Sequence, residues 1–333
     1  MRKYAAVILN YNGSNFLRQF LPTLLQHCGS QHVIVADNAS TDDSLEVMAT
    51  NFPDVEIVKM DKNSGYAGGY NEALQHVEAE YYALVNSDIE VTEGWIAPLI
   101  EFLDQNATFA AVQPKIKAFS DRDAFEYAGA AGGFIDPLGY AYCRGRVFDT
   151  IEKDTGQYDE MIETLWTSGA AMVVRSKLFH EVGGFDIDFF AHMEEIDLCW
   201  RLRAAGHQLA CLPSSTVYHV GGGTLSATNP RKTYLNFRNN LTLLTKNMPL
   251  NELWWKLPVR LVLDILAAFV FWKSNSFAHT RAVFSALFDY LGSSPTTWKK
   301  RQGRPLLGLG SGEKSPVVYQ YFVAGRKRFS EIQ

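Results

Sequence analysis

The sequence predicts an α/β protein built on a mixed, mainly parallel sheet flanked by helices, with a helical extension at its C-terminus. Three observations predict it. Short continuous apolar runs alternate with helical stretches through residues 4–91. Successive apolar runs end in clusters of Asn, Asp, Ser and Gly. Past residue 230 the chain changes to long helical patterns that are apolar around most of their circumference.

Residues 4–9 (YAAVIL) form the kind of run that a strand buried on both faces requires, and NYNGSN turns the chain into the helical pattern FLRQFLPTLLQHC. HVIVADNAS (32–40) repeats this grammar and ends on Asp37, Asn38 and Ser40. TDDSLEVMATNF (41–52) reads as a capped helix, VEIVKM (55–60) as a third strand, and YALVNSDIEV (82–91) as a fourth after a helix around 70–79. In such sheets ligands bind beyond the carboxyl ends of the strands. Here those ends carry Asp37 with Asn38, Asn63 through Gly65, and Asn86 through Asp88. Any one cluster is ordinary turn chemistry, but three in sequence order predict one crevice.

From about 110 to 165 the pattern loosens into a Gly- and aromatic-rich stretch, EYAGAAGGFIDPLGYAYCRGRVF (126–148), of the sort that shapes a cleft. Regular structure resumes with a strand and short helix in WTSGAAMVVRSKLFHEVGGFD (166–186). FFAHMEEIDLCWRL (189–202) then crowds Glu194, Glu195 and Asp197 into the start of a helix that ends at Gly206. Asp197 and Arg201 stand at i,i+4 and are expected to pair. A strand follows, ending near His219. In residues 251–272, Lys256, Arg260 and Asp264 recur every fourth position as one narrow polar stripe on an apolar helix, and 277–292 repeats the device with Arg281, Ser285 and Asp289. Neither segment has the roughly 20 uninterrupted apolar residues that span a membrane.

A formal charge of -5 and a pI near 5.9 give no reason to expect a nucleic-acid partner. The four cysteines lack CxxC pairing, which suits a reduced, cytoplasmic setting. The apolar run at the N-terminus is too short for an export signal and reads as a first strand.

VILNYNG (7–13), VADNASTDDS (35–44), NSGYAGGYNEAL (63–74), LVNSDIEV (84–91), TSGAAMVVR (167–175), GGFDIDFFAHMEEIDLCWRLRAAGH (183–207) and YHVGG (218–222) together resemble the family 2 nucleotide-sugar glycosyltransferases. These are inverting enzymes of the GT-A (Rossmann-like) fold, and the resemblance points to their rhamnosyltransferase-like bacterial branch, which builds surface polysaccharides. It implies a catalytic domain over 1–240 and a helical region over 241–333. That region would pack on the catalytic domain, form a homodimer, or lie on the inner face of the plasma membrane. Trp254, Trp255, Lys256, Arg260 and WKKRQ (298–302) suit anionic lipid.

The resemblance also implies roles. The donor, a dTDP- or UDP-sugar, would lie against Asn10, Asn12, Asp37, Asn38, Asn63, Gly65, Tyr66, Gly68, Asn71, Asn86 and Ser87, with Arg238 closing near its diphosphate. A divalent cation, Mg²⁺ or Mn²⁺, would be held by Asp88, the last residue of a DxD-type motif whose first position is here Asn86, and by His219. The general base would be Glu195, standing where most of this branch has Asp, with Glu194 as the alternative. Side-chain chemistry, apart from the resemblance, makes Trp166, by stacking on a sugar, and Arg144, by bidentate contact with phosphate, the candidates to meet a glycan or lipid-linked acceptor. Two competing readings are a sugar-1-phosphate nucleotidyltransferase, which would show a basic Gly-rich loop after the first strand where NYNGSN has none, and a non-catalytic nucleotide- or sugar-binding scaffold.

Overall fold

A computed structural model describes residues 1–221, 229–306 and 315–332; Gly222 of the YHVGG motif lies outside the described residues. The first half alternates β1 (Arg2–Asn10), α1 (Ser14–Cys28), β2 (Val33–Asp37), α2 (Ser44–Asn51), β3 (Glu56–Lys59), α3 (Gly65–Ala73), β4 (Ala79–Asn86), β5 (Ile89–Val91), α4 (Ala97–Gln105) and β6 (Phe109–Ala118). The loosely patterned stretch contains five short strands, β7 (Gly133–Ile135), β8 (Ala141–Cys143), β9 (Arg146–Val147), β10 (Thr150–Ile151) and β11 (Ile162–Glu163). Then come β12 (Ala171–Arg175), α5 (Ser176–Glu181), α6 (Glu194–Ala204), β13 (Gln208–His219), α7 (Pro230–Asn247), α8 (Leu250–Lys273), α9 (Phe277–Lys299), α10 (Val317–Phe322) and α11 (Phe329–Ile332).

The main sheet runs β11-β13-β6-β12-β4-β1-β2-β3, with β5 on β13. β1 is parallel to β2 and β4, and β12 runs antiparallel between β4 and β6. The sheet is therefore mixed, and the fold class predicted from the sequence is the one observed. Period-two alternation feeds a separate core on each face: Ala5 and Val7 of β1 pack in one, Ala6 and Ile8 in the other.

Register assembles the crevice. Asn10 is paired with Asp37 and Leu9 with Asn86, so three strand ends meet side by side. Antiparallel β12 begins where β4 ends, with Ala171 opposite Val85, and β13 ends with His219 opposite Ile89. Residues 133–151 form a second, four-stranded sheet, β10-β9-β8-β7.

The boundary expected at residue 240 falls inside α7, whose buried Asn239 and Asn247 reach the catalytic half. The polar stripe of α8 is buried instead of facing solvent. Arg260 and Asp264 are 2% and 1% exposed, whereas Trp254 and Val270 on the opposite side are 73% and 67% exposed. Arg260 donates to the Leu138 carbonyl (3.0 Å), lies 3.6 Å from the centre of the Tyr140 ring, and is 3.6 Å from Asp264. The helix is amphipathic with its faces exchanged relative to a soluble packing helix.

Candidate active site

The end of the crevice expected to take the donor is a lattice of amides. Asn10 Nδ2 donates to Asp37 Oδ1 (3.2 Å) and Ser40 Oγ (3.1 Å), and the Ser40 N–H donates to Asp37 Oδ2 (3.0 Å). Asn12 Oδ1 accepts from the Thr41 N–H at 2.7 Å, which ties the first strand end to the second. Asn38 is buried and donates to Asn63 Oδ1 (3.1 Å) and the Gly65 carbonyl (3.0 Å), while its Oδ1 accepts from the Ser64 N–H (3.1 Å). Asn71 is occupied at both ends by the Phe185 backbone (2.7 and 2.9 Å). Asn38 and Asn71 thus shape the wall instead of presenting free groups, while Asn63 is exposed with only its Oδ1 engaged among the described residues. Asn10 Oδ1, by contrast, is buried without a hydrogen-bond partner among the described residues.

Gly65 has φ +72°, and a Cβ there would lie 2.5 Å from the Phe190 carbonyl oxygen. That oxygen accepts from the Tyr66 N–H (2.7 Å) and the Ala67 N–H (3.2 Å), joining the start of α3 to the loop before α6. The Tyr66 hydroxyl donates to the Gly169 carbonyl at 2.6 Å. Gly68 packs on the Ser64 side chain, and Asn86 and Ser87 are half-buried at the end of β4.

Beyond Ser87 the structure brings Asp88 and His219 together, with Nε2 3.1 Å from Asp88 Oδ1. His219 Nδ1 is 3.3 Å from Glu126 Oε1, short of full hydrogen-bond alignment. Burial works against ionised Asp88, yet the His219 hydrogen bond holds its carboxyl below the ordinary range. Burial likewise opposes the imidazolium, and the Glu126 and Asp88 carboxylates overcome it, raising His219 to about 10. Among the described residues no three acidic, imidazole or thiol groups converge as a complete metal cage. One carboxylate and one imidazole, with Glu126 behind the imidazole, fit a cation that displaces the imidazole proton and takes its other oxygens from a diphosphate.

The loop before α6 is strained. Phe190, His192 and Met193 adopt φ of +63°, +68° and +73°, a region that non-glycine residues seldom occupy. α7 holds it there: Asn239 Nδ2 faces the carbonyls of Phe189 (2.9 Å), Ala191 (2.8 Å) and His192 (2.7 Å). Arg238, expected at the donor diphosphate, instead donates to the carbonyls of Asp188 (2.9 Å) and Phe189 (3.1 Å). The family resemblance puts this stretch of chain near the diphosphate without naming the acceptors that its guanidinium meets.

The strain delivers two carboxylates to the cleft. Glu194 is buried, Glu195 is half-buried, and Oε2 of each, with His192 Nε2, has no hydrogen-bond partner among the described residues. Burial and then the Glu195 charge push Glu194 well above the usual carboxyl range, and burial pushes Glu195 up to about 7 against backbone hydrogen bonds at the helix start. Burial, helped by Lys232, lowers His192 to about 4 and keeps it neutral. Gly169 leaves the room: a Cβ there would meet the Tyr66 hydroxyl at 2.8 Å and Glu195 Cβ at 3.5 Å. Asp197 takes the structural part, accepting from Arg201 (2.8 Å), Lys246 (2.9 Å) and Asn247 (2.8 Å). These partners outweigh burial and hold its carboxyl low.

Trp166 and Arg144, expected at the acceptor, are buried with their polar groups on backbone carbonyls. The Trp166 indole is buried, packs on Gly133 and donates to the Phe134 carbonyl (2.9 Å). Arg144 is buried and donates to the carbonyls of Ala131 and Glu160, both at 2.9 Å. Both brace the second sheet, because a polar group inside must find a backbone partner. Glu126 and Gly169 escaped the sequence reading, the first inside a stretch that reads as loop. Asn239 carried a signal, the RNN of α7, without showing what it would hold.

Residues 5–182 match the family described as Glycosyl transferase family 2. The chain belongs to that family. The nucleotidyltransferase alternative is thereby set aside. Among relatives of this family 2 glycosyltransferase, an N-acetylglucosaminyl-diphospho-decaprenol L-rhamnosyltransferase of Mycobacterium tuberculosis is 25% identical over 273 residues, covering 76% of this chain and 87% of the relative. A pre-mycofactocin glycosyltransferase of the same species is 25% identical over 219 residues, 66% of this chain and 43% of its own. The fold is shared with GalNAc-T7 solved with UDP, GalNAc and Mn²⁺ (TM-score 0.57, 14% identity, 74% of this chain and 48% of that one). It is also shared with a Pyrobaculum calidifontis mannosyltransferase solved with GDP-Man and Mn²⁺ (TM-score 0.52, 14% identity, 88% and 76%).

Proposed function

We propose that this family 2 glycosyltransferase moves a sugar, rhamnose-like in class, from a dTDP- or UDP-sugar to a lipid-linked glycan acceptor, with inversion, in surface polysaccharide synthesis at the inner face of the plasma membrane. The observation that carries the reading is the pair of unpartnered Glu194 and Glu195 oxygens in the cleft, one carboxyl raised to about 7. A group with that pKa takes a proton efficiently near neutral pH. Glu195, the less buried of the two, accepts the acceptor hydroxyl proton while the hydroxyl oxygen bonds to the anomeric carbon. The bond from that carbon to the diphosphate oxygen breaks on the opposite face, and the nucleoside diphosphate leaves. Glu194 holds its proton and positions Glu195.

Asn10 and Asp37 receive the nucleoside, and the loop from Asn63 to Tyr66 covers it. Asp88 and His219 would hold Mg²⁺ or Mn²⁺. Bound there, the cation would neutralise charge on the departing diphosphate. The relative named as acting on a diphospho-decaprenol acceptor supports a lipid-linked substrate. So does the outer face of α8, where Val262, Leu266, Phe269 and Val270 lie exposed between Trp254 and Trp272. A patch of this kind, with aromatic residues at both ends, suits an interface with lipid. No described helix is long and apolar enough to cross a membrane.

The test is a panel of nucleotide sugars with Mg²⁺ or Mn²⁺ and a lipid-linked acceptor extract, followed by nucleoside diphosphate release. Release with at least one donor is expected. No release from any donor would favour the scaffold reading.

A further inference from the structure

We infer that the groove between α7 and α9 binds the diphosphate of a lipid-linked acceptor; this rests on the proposed function and adds the acceptor's anionic site to it. The groove has a volume of about 860 Å³. Its lining includes Arg231, Arg238 and Arg281, with Asp289 as the one carboxylate among the lining residues. The Tyr234 hydroxyl donates to Asp289 at 2.7 Å, so that charge already has a partner. Arg238 is turned to the catalytic loop, and Arg231 lies over the Phe190 ring, 5.7 Å from its centre. Arg281 is exposed and has no ion pair or hydrogen bond among the described residues. Guanidinium groups with open donors in a concave site suit phosphate oxygens.

Two placements select a lipid diphosphate over a free anion. The first is Phe190, which lines the groove while its ring stands against Gly65 of the donor loop. One side chain therefore separates the groove from the donor pocket, the arrangement needed for an acceptor whose diphosphate is held beside the reacting sugar. The second is the surface of α9. At about 100° per residue, Arg281, Ser285 and Asp289 form the groove stripe, and Phe277, Phe284, Phe288 and Leu291 form the stripe next to it. All four apolar residues are exposed, with Phe288 at 71%. Val283, Ala286 and Tyr290 bury the remaining side. An anion site bordered by exposed apolar surface matches a head group joined to a hydrocarbon chain.

Farnesyl diphosphate binding to the full chain, measured by calorimetry in EDTA, tests this. Chelation removes the cation on which donor-site diphosphate binding would depend. The expected result is saturable binding, weakened tenfold or more by Arg281→Ala and further by Arg281→Glu, with unchanged melting temperatures showing that both variants fold. Farnesol should bind at least tenfold more weakly, and so should pyrophosphate and dihexanoyl phosphatidylglycerol. No binding, or binding unchanged in Arg281→Glu, would overturn the inference. Equal binding of pyrophosphate or of the phosphatidylglycerol would also overturn it, showing a general anion or head-group site. Donor turnover by the wild-type protein is read separately, so either claim can fail alone.

Discussion

At the scale of single residues, the proposed chemistry turns on Glu195. Its carboxylate must be unprotonated to act, so kcat/KM is expected to rise with pH through about 7, measured under conditions where the donor is saturating for binding. The same shift costs stability. A carboxyl with a raised folded-state pKa binds its proton more tightly in the folded protein, so its stabilisation is complete below about 4.5 and is lost as pH rises through about 7. Glu195→Gln removes that loss. The variant should be more stable than the wild type at pH 8 by about 1–3 kcal/mol, and the difference should shrink at pH 5, as urea unfolding at the two values would show. The places of Asp37, Asp88, His219, Glu194 and Glu195 at neighbouring strand ends and at the start of α6 were legible from the order of the motifs. Arg144, Trp166 and Arg238 were not, since a sequence names a donor and leaves its acceptor unstated.

The element that sets the site is the loop over 189–193, a length of chain held in conformations its residues disfavour. Propensity predicts no such backbone, and local hydrogen bonds such as Ala191 N–H to the Phe189 carbonyl (2.7 Å) are only part of what holds it. Distant residues supply the rest: the Tyr66 and Ala67 N–H groups and Arg238 bind loop carbonyls, and Asn239, some fifty positions further on, faces three of them with its amide. Asn239→Ala is expected to lower stability by about 1–3 kcal/mol, and kcat with it, as the loop relaxes toward ordinary φ values. Thermal unfolding together with steady-state rates checks this; a variant with wild-type kcat would show that the clamp does not position Glu195. Strand identities were readable along β1 to β4 from their apolar runs. The antiparallel direction of β12 was not, because a five-residue apolar strand carries no mark of direction.

For the whole molecule, the largest difference from expectation is the orientation of α8. A stripe at every fourth residue fixes that a helix has two faces and says nothing about which one meets protein. Here Tyr140 and the Leu138 carbonyl offer partners for Arg260, so the charged stripe turns inward and the apolar face is left outside. Lipid vesicles containing anionic phospholipid are expected to carry the wild-type protein upward on flotation. Leu266→Glu/Phe269→Glu should leave it in the dense fraction. Equal flotation of the two would count against a membrane role for this face, and a stable dimer in light scattering would assign it to a second copy instead. The most direct test of the whole account compares transfer by the wild type, Glu195→Gln and Glu194→Gln, using the donor found in the nucleotide-sugar panel. Glu195→Gln should bind nucleotide normally and transfer about 10²–10⁴-fold more slowly, with Glu194→Gln less impaired. Undiminished transfer by Glu195→Gln would contradict the assignment of the base.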